Sequence, residues 1–351
     1  MTCLRPIRLF SFFLGLFYLH SFCAAPAFAE AATNAQTRLP FRAVAITVPG
    51  TPWYQSWQTL IANLTQQQSS LELQPYIAGQ LGSEENVLSQ LRRNRVQMGG
   101  FSLQGASTVV PELAVLGSPY LFDSFEEIDF VMDNYLTDEF VKLFAAKGLV
   151  FLDWAEVGWT SIYGSQAILS PTDSNGLKLR SSNGPASQLL IRSIGANPVP
   201  LPFPDIMPSL QTGLISGGET GTIFYAIAGL PKEAPHLTLT RHAFDTGVYL
   251  ANKSWFDGLP KIEQEKLRRS LVSAKIFRQQ VRKAEADILA APEKSGITVH
   301  KPDAQQIAEW RNATRENYQQ LLQTLGGNSA QIYAKIIAGK KAFAVQQQLQ
   351  Q

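Results

Sequence analysis

The stretch "SLQTGLISGGETG" (residues 209–221) joins a helical pattern to a glycine pair and a single carboxylate. Leu210 and Leu214 stand four positions apart, which is the spacing of one helix face, and glycine readily adopts the positive φ angles at which helices end. One interpretation is a helix C-cap followed by a turn. The other is a ligand loop, in which Gly217 and its neighbour let the backbone approach a bound molecule beside Glu219. The stretch alone leaves both interpretations open.

Strands alternate with helices on both sides of this stretch. The residue types predict strands at 41–48, 71–77, 98–101, 113–116, 149–154, 159–163, 177–180 and 246–250, and helices at 52–68, 84–94, 125–147 and 185–194 and after Pro204. This alternation predicts an α/β protein with a largely parallel sheet.

The C-terminal part of the sequence is mostly helical. Pro260 opens a periodic pattern that runs to about residue 289, which predicts one long helix of roughly 45 Å, enough to lie across two lobes. A last helix carries Ile307, Trp310, Leu321 and Leu325, and the polar ending "VQQQLQQ" predicts a disordered tail.

The N-terminus has the pattern of a secretory signal peptide. Arg5 and Arg8 precede an apolar stretch at 9–22, and "AFA" (residues 27–29) is a small-x-small cleavage site. The apolar stretch is shorter than the ~20 residues of a membrane-spanning helix. We therefore expect export to the periplasm and cleavage near residue 29. Lipidation at Cys23 is the alternative, which the residues before it disfavour.

Composition excludes several kinds of protein. Both cysteines, Cys3 and Cys23, lie in the predicted signal peptide, so the mature chain has no thiol for a disulfide, for catalysis or for a metal. Removal of Arg5 and Arg8 leaves 28 basic residues against 28 acidic ones, which disfavours binding to nucleic acid or to an anionic membrane. About 320 residues exceed the usual size of one core, so two lobes are expected.

No catalytic motif is present in the sequence. The three histidines outside the signal peptide have no metal-ligand spacing, and the phosphate-loop, G-x-S-x-G and G-x-G-x-x-G patterns do not occur. Paired carboxylates leave no sequence pattern, so an enzyme is not excluded, but no residue indicates one.

Four stretches in order resemble one protein family. They are "GQLGSEENVLSQLRRNRVQMGGFS" (79–102), "LGSPYLFDSFEEIDFVMD" (116–133), "GLKLR" (176–180) and "GANPVPLPFPDIMPSLQTGLISGGETG" (195–221). Together they resemble the DctP-type solute-binding proteins of tripartite ATP-independent periplasmic (TRAP) transporters, bacterial extracellular solute-binding family 7.

The resemblance implies a two-lobed periplasmic-binding-protein fold of the α/β class, with mixed sheets, crossing hinge strands and a long spanning helix. The predicted boundaries are a signal peptide at 1–29, lobe I at 39–154 plus 246–259, lobe II at 155–245, and the spanning and C-terminal helices at 260–345.

The resemblance also implies a function. The protein would capture a small carboxylate-bearing organic acid by hinge closure and deliver it to a TRAP membrane permease, as a monomer, without nucleic acid, cofactor or chemical turnover. A ligand-binding sensor for a membrane receptor and a periplasmic hydrolase are the alternatives.

The family grips its ligand's carboxylate with an arginine at the end of "GLK(I/L)R", which here is Arg180. A guanidinium presents a planar fork of donors that matches a carboxylate, which lysine cannot reproduce. The alternative is that Arg180 pairs with a carboxylate of the protein itself.

Two departures from the family pattern bear on the ligand. Thr160 in "GWTS" stands where many members have a second arginine, and Thr220 in "GGETG" replaces a common asparagine, while Glu219 is retained. A monocarboxylate or a hydroxy or keto acid becomes more plausible than a highly charged acid. Glu219 could neutralise Arg180, bind a cation that bridges to the ligand, or accept from a ligand hydroxyl.

Further candidates come from positions near strand ends, where the clefts of α/β proteins gather. The predicted aromatic walls are Trp53, Tyr54, Trp159 and Phe224, each of which core packing would explain equally well. Ser102 and Gln104 complete the predicted ligand-binding set.

Overall fold

A computed structural model describes residues 38–45 and 47–350 of the chain. The predicted signal peptide and both cysteines lie outside the described residues. None of the described helices is both long enough and apolar enough to cross a bilayer.

The described part of the chain contains nine strands and fourteen α-helices. The strands are β1 (Leu39–Ala45), β2 (Leu71–Tyr76), β3 (Met98–Phe101), β4 (Leu149–Gly164), β5 (Lys178–Ser181), β6 (Asn197–Pro200), β7 (Gly217–Gly221), β8 (His236–Asn252) and β9 (Thr298–His300). The helices are α1 (Pro52–Gln66), α2 (Glu84–Arg92), α3 (Leu103–Ser107), α4 (Phe125–Val131), α5 (Thr137–Ala146), α6 (Pro185–Ser193), α7 (Ile206–Gln211), α8 (Thr222–Ile227), α9 (Lys253–Gly258), α10 (Lys261–Ser270), α11 (Ala274–Ala290), α12 (Ala304–Ala313), α13 (Asn317–Leu325) and α14 (Ser329–Gln350).

The strands form one mixed sheet in the order β2-β1-β3-β8-β4-β7-β5-β6, with β9 paired to β8 outside this path. Parallel strands occupy both ends: β1 with β2 and β3, and β5 with β6 and β7. Between them, β4 and β8 pair antiparallel along nearly their whole length. We call the part around β1–β3 lobe I and the part around β5–β7 lobe II. The two central strands run through both, which confirms the predicted two-lobed fold with crossing strands. The exact lobe boundaries stay a prediction.

Each lobe has its own apolar core. In lobe I, the aromatic rings of Phe140 and Phe144 pack with Leu250 of β8. In lobe II, Tyr163 of β4 packs with Tyr225 of α8, with ring centroids 5.3 Å apart. Separate cores joined by two strands are the arrangement that allows one lobe to move against the other.

The single helix predicted from Pro260 to residue 289 is wrong, because the structure breaks it into α10 and α11. Leu271 has an extended backbone (φ −66°, ψ 143°), and α11 restarts after Ser273. Asp153 of β4 accepts a hydrogen bond from the backbone N–H of Ala274 through Oδ2 (3.1 Å), which satisfies a donor at the new N-terminus. A partner 121 residues away therefore sets the break, and helical periodicity could not show it.

Helix α11 nevertheless bridges the two lobes. Arg282 makes paired hydrogen bonds to Asp129 of α4 and to Glu156 of β4. One turn later, Glu285 accepts a hydrogen bond from Thr222 of α8 at 3.2 Å. The spanning role predicted for this segment thus belongs to α11.

Gly217 and Gly218 in the stretch at 209–221 form neither the predicted helix C-cap nor a loop. Helix α7 ends at Gln211, Gly213 has the positive φ of 70°, and Leu214 is exposed. The glycines that follow belong to β7, between β4 and β5. A Cβ on Gly217 would lie 2.2 Å from the carbonyl oxygen of Tyr163, so only glycine fits this close approach of strands.

Four smaller predictions also need correction. The predicted strand at 113–116 is part of a 3₁₀ helix (Pro111–Gly117), since a short buried apolar run does not by itself distinguish strand from helix. The strands predicted at 149–154 and 159–163 are one bulged strand, β4. The region from 304 to 350 contains three helices, and residues 345–349 of the predicted disordered tail are exposed residues of α14, which Ile332 and Ile336 anchor in the lobe I core.

Candidate functional site

A cavity of about 540 Å³ lies between the lobes and takes wall residues from both. Its size is within the usual range for small-molecule sites. Eight of the ten predicted ligand-binding residues line it: Arg180, Thr160, Glu219, Thr220, Phe224, Trp53, Ser102 and Gln104.

Arg180 lies on β5, where the sheet holds its side chain against the cavity. It is 8% exposed, its Nε donates to the carbonyl oxygen of Leu201 (3.1 Å), and its Nη1 donates to the backbone oxygen of Glu219 (3.1 Å). Strand β7 passes alongside at Gly218, where a Cβ would lie 2.8 Å from the Cβ of Arg180. The backbone bonds fix the guanidinium, and Nη2 has no hydrogen bond to any described residue.

The carboxylate of Glu219 faces the same guanidinium. Its Oε1 lies 3.8 Å from Arg180 Nη1 and accepts a 2.6 Å hydrogen bond from Ser187 Oγ. Its Oε2 lies 3.8 Å from His242 Nε2, which is too long for a hydrogen bond but close enough for electrostatic attraction. Burial alone would raise the pKa of Glu219, but His242, Arg180 and Ser187 together lower it to about 2. Arg180 thus combines both roles weighed for it, since it lines the cavity and also neighbours a protein carboxylate.

The two threonines lie beside this pair on adjacent strands. Thr160 of β4 is opposite Gly221 of β7, and Thr220 is opposite Ser161. Thr160 is buried and Thr220 is half-buried. Both line the cavity, so each could offer a hydroxyl to a ligand.

The aromatic wall joins the two lobes. Trp53 of α1 stacks on Phe224 of α8 with ring centroids 4.6 Å apart and an interplanar angle of 17°. The indole Nε1 of Trp53 donates to the backbone oxygen of Glu156 on β4 (2.9 Å), which fixes the ring. Phe203 packs edge-on against Phe224 at 5.2 Å. This stack is a contact across the cleft.

Two predicted residues, Trp159 and Tyr54, are not among the residues that line the cavity. Side chains alternate along a strand, so Thr160 faces the cavity and Trp159 faces the lobe I core, near Phe125 and Phe244. Along α1, Trp53 lines the wall, while the next residue, Tyr54, lies about 100° around the helix.

Ser102 caps α3 and also binds a carboxylate in the wall. Its backbone N–H donates to Glu84 Oε1 (2.7 Å) and its hydroxyl to Glu84 Oε2 (2.5 Å). Burial raises the pKa of Glu84, and the Ser102 bonds oppose this shift without cancelling it. Gln104, in the same helix, lines the cavity beside Gly184.

Asp245 is the most informative wall residue that the sequence analysis missed. It lies on β8, and its Oδ1 is buried without a hydrogen-bond partner among the described residues. Burial raises its pKa to about 7, with smaller contributions from Glu219 and Glu84. Tyr249, four residues on, lines the same wall, as do Trp57 and Phe203. The one signal in the sequence for Asp245 was its spacing of two and four residues from Gly247 and Tyr249, which places the three on one face of β8. That signal could be used only once it was known which face of β8 meets the cavity.

Comparison with known proteins identifies the family. The sequence profile of the family described as "Bacterial extracellular solute-binding protein, family 7" (DctP) matches residues 44–324. This range covers most of the described chain, including every residue that lines the cavity.

Similar sequences include two named periplasmic binding proteins. The chain is 28% identical over 198 residues to the ectoine-binding periplasmic protein TeaA of Halomonas elongata, covering 55% of this chain and 58% of that protein. It is 26% identical over 231 residues to the 2,3-diketo-L-gulonate-binding periplasmic protein YiaO of Escherichia coli, covering 65% of this chain and 70% of that protein.

A solved structure shows the same architecture. A TRAP periplasmic solute-binding protein from Roseobacter denitrificans, solved with bound β-D-glucuronate, superposes with a TM-score of 0.78 at 25% sequence identity, covering 85% of this chain and 99% of that one. The fold, the cavity between the lobes and the profile match all indicate the same family. The chain therefore belongs to bacterial extracellular solute-binding protein family 7, the DctP family of TRAP periplasmic solute-binding proteins.

Proposed function

We propose that this protein is an extracytoplasmic receptor that captures a small carboxylate-bearing organic acid between its lobes and delivers it to a TRAP membrane permease. The observation that carries the proposal is the guanidinium of Arg180 in the wall of the 540 Å³ cavity. Backbone oxygens accept from Nε and from one N–H of Nη1, so both N–H groups of Nη2, which bond to no described residue, are available to a ligand carboxylate. The glucuronate-bound relative and the diketogulonate-binding relative support a carboxylate ligand.

Hinge closure is the proposed mechanism of capture. The ligand would contact Trp53 of lobe I and Arg180 of lobe II together only when the lobes are closed. Its binding free energy would then shift the population from open to closed forms, and the permease would recognise the closed form.

The proposal places the protein in the periplasm as a monomer, without chemical turnover and without a metal or organic cofactor. Periplasmic relatives support the location. Glu219 already accepts from Ser187 and faces Arg180, so its charge is balanced without a bridging cation.

A thermal-shift screen of organic acids, followed by calorimetry, tests the ligand class. An acid at a hundred times its Kd should add about 2.7 kcal/mol to the free energy of unfolding. Arg180→Lys should weaken binding of that acid at least 100-fold, because an ammonium cannot bond both backbone oxygens and also hold a planar donor group against the ligand. Arg192→Lys, an exposed change outside the cavity, is the matched control. Equal affinity in all three proteins would remove Arg180 from the site.

Uptake by cells tests delivery. Loss of the gene should abolish uptake of the acid identified in the screen. Normal uptake together with loss of a response to that acid would indicate a sensory receptor instead.

A further inference from the structure

The cavity wall carries an imbalance of charge. Among the described residues that line it, Arg180 is the one basic side chain, whereas Glu84, Glu85, Glu219 and Asp245 are acidic. A ligand with only negative charge would add to this excess at a site largely removed from water, which is unfavourable. A ligand that also carries a positive charge would reduce the excess.

The carboxylates of the wall differ in whether their oxygens are already used. Glu219 accepts from Ser187 and faces Arg180, and Glu84 accepts from both the backbone and the hydroxyl of Ser102. Asp245 is different, since its buried Oδ1 accepts no hydrogen bond from any described residue. A buried acceptor without a donor is costly, and a ligand donor would remove this cost.

The surroundings of Asp245 suit a cationic group. Asp245, Gly247 and Tyr249 alternate along β8 and all line the cavity. A Cβ on Gly247 would lie 2.3 Å from the backbone oxygen of Phe101, so only glycine fits there and β8 carries no side chain on this wall between Asp245 and Tyr249. Tyr249 stands four residues along the strand, about 13 Å from Asp245, and packs edge-on against Trp57 at 5.5 Å, so these rings offer an apolar surface to the part of the ligand beyond its cationic group.

We infer that the ligand is dipolar: its carboxylate binds Arg180, and a cationic group such as an ammonium or an amidinium binds Asp245. The inference rests on the proposed function and adds the substrate class. Burial and the neighbouring Glu219 and Glu84 raise the pKa of Asp245 to about 7, and a bound cation would favour its ionised form. A dipolar ligand thus satisfies the orphan oxygen and leaves the net charge of the site unchanged.

Matched ligands test the inference in the full-length mature protein. The dipolar probes are 4-aminobutanoate, 4-guanidinobutanoate and ectoine, and the probes without a cation are 4-hydroxybutanoate and D-glucuronate. In calorimetry, the Kd of the tightest dipolar probe should be at least tenfold lower than the Kd of either probe without a cation. Asp245→Asn should raise that Kd at least tenfold, whereas Asp138→Asn, which removes an exposed carboxylate of α5 outside the cavity, should change it less than threefold.

Each outcome has one meaning. Binding of D-glucuronate or 4-hydroxybutanoate as tight as that of the dipolar probes overturns the inference and leaves the proposed function standing. An unchanged Kd in Asp245→Asn also overturns it. If that variant does not fold, the comparison of probes in the unmodified protein decides alone. Absence of binding by every acid overturns the proposed function together with the inference.

Discussion

The buried carboxylate of Glu219 makes the stability of the protein depend on pH in a way that a single variant can measure. Its pKa falls from 4.5 to about 2 in the folded protein. A lowered pKa stabilises the fold above pH 4.5, and this stabilisation is lost as the pH falls from 4.5 towards 2. A shift of that size corresponds to roughly 3 kcal/mol at pH 7, since each pKa unit is about 1.4 kcal/mol. The residue is only 8% exposed, so screening by solvent is small.

The perturbation is Glu219→Gln, which keeps the side-chain size and an acceptor oxygen but cannot ionise. At pH 3 about half of the linkage contribution remains, so the stability difference between the original protein and the variant should shrink by about 2 kcal/mol between pH 6 and pH 3. Urea unfolding followed by tryptophan fluorescence measures the difference at each pH. Carboxylates that do not interact with Glu219 titrate equally in both proteins and cancel, whereas Asp245, whose pKa Glu219 helps to raise, contributes a smaller change of opposite sign.

Glu265→Gln is the control, because Glu265 is exposed on α10 and its one ion pair within the described part of the chain is with Arg269 one turn away. Its difference from the original protein should stay small at every pH. A Glu219→Gln difference that changes by less than about 0.5 kcal/mol over the same range would refute the claim that His242 and Arg180 stabilise the ionised form.

Three further predictions concern stability. Asp245→Asn should increase the Tm of the ligand-free protein more at pH 8 than at pH 4. The pKa of Asp245 is raised from 3.8 to about 7 in the folded protein, so its ionisation costs the fold more stability as the pH rises across that range. An equal change in Tm at both pH values would contradict this prediction. Gly217→Ala should lower the free energy of unfolding by at least about 2 kcal/mol through its clash with β4, whereas Gly258→Ala, with no atom within 4 Å of the added Cβ, should have little effect in the same urea titration. Arg282→Ala should cost about 3 kcal/mol, since it leaves a buried carboxylate of β4 without its partner, and Lys283→Ala on the exposed side of α11 should cost less than about 0.5 kcal/mol; equal values for the two would show that the bridge is unimportant.

The local elements were largely predictable from the sequence. Helices α1 and α6 begin with a proline, α2 begins after the N-cap Ser83, and all three carry one apolar face. Signals of this kind act within one or two turns of the chain. The family motifs pointed to Arg180 and Glu219, and the structure brings both to one cavity. Those assignments needed only the identity and order of residues.

The direction in which a side chain points was not predictable in the same way. Trp159 and Thr160 are neighbours in sequence, yet one lies in the lobe I core and the other in the cavity wall. Either face of β4 could have met the cleft, and both residue types suit both environments. Only the pairing of β4 with β7 and β8 settled this.

The sequence by itself determined the α/β class and the family and pointed to Arg180, which lines the cavity, because these depend on local patterning and on motifs. The tertiary structure alone decided that Gly217 begins a strand, that the long helix breaks where Asp153 caps its second half, and that Asp245 lies in the cavity wall with an unpartnered oxygen. The physical reason is the same in each case. Each depends on a contact with residues distant in the chain, and no short stretch of sequence contains both partners.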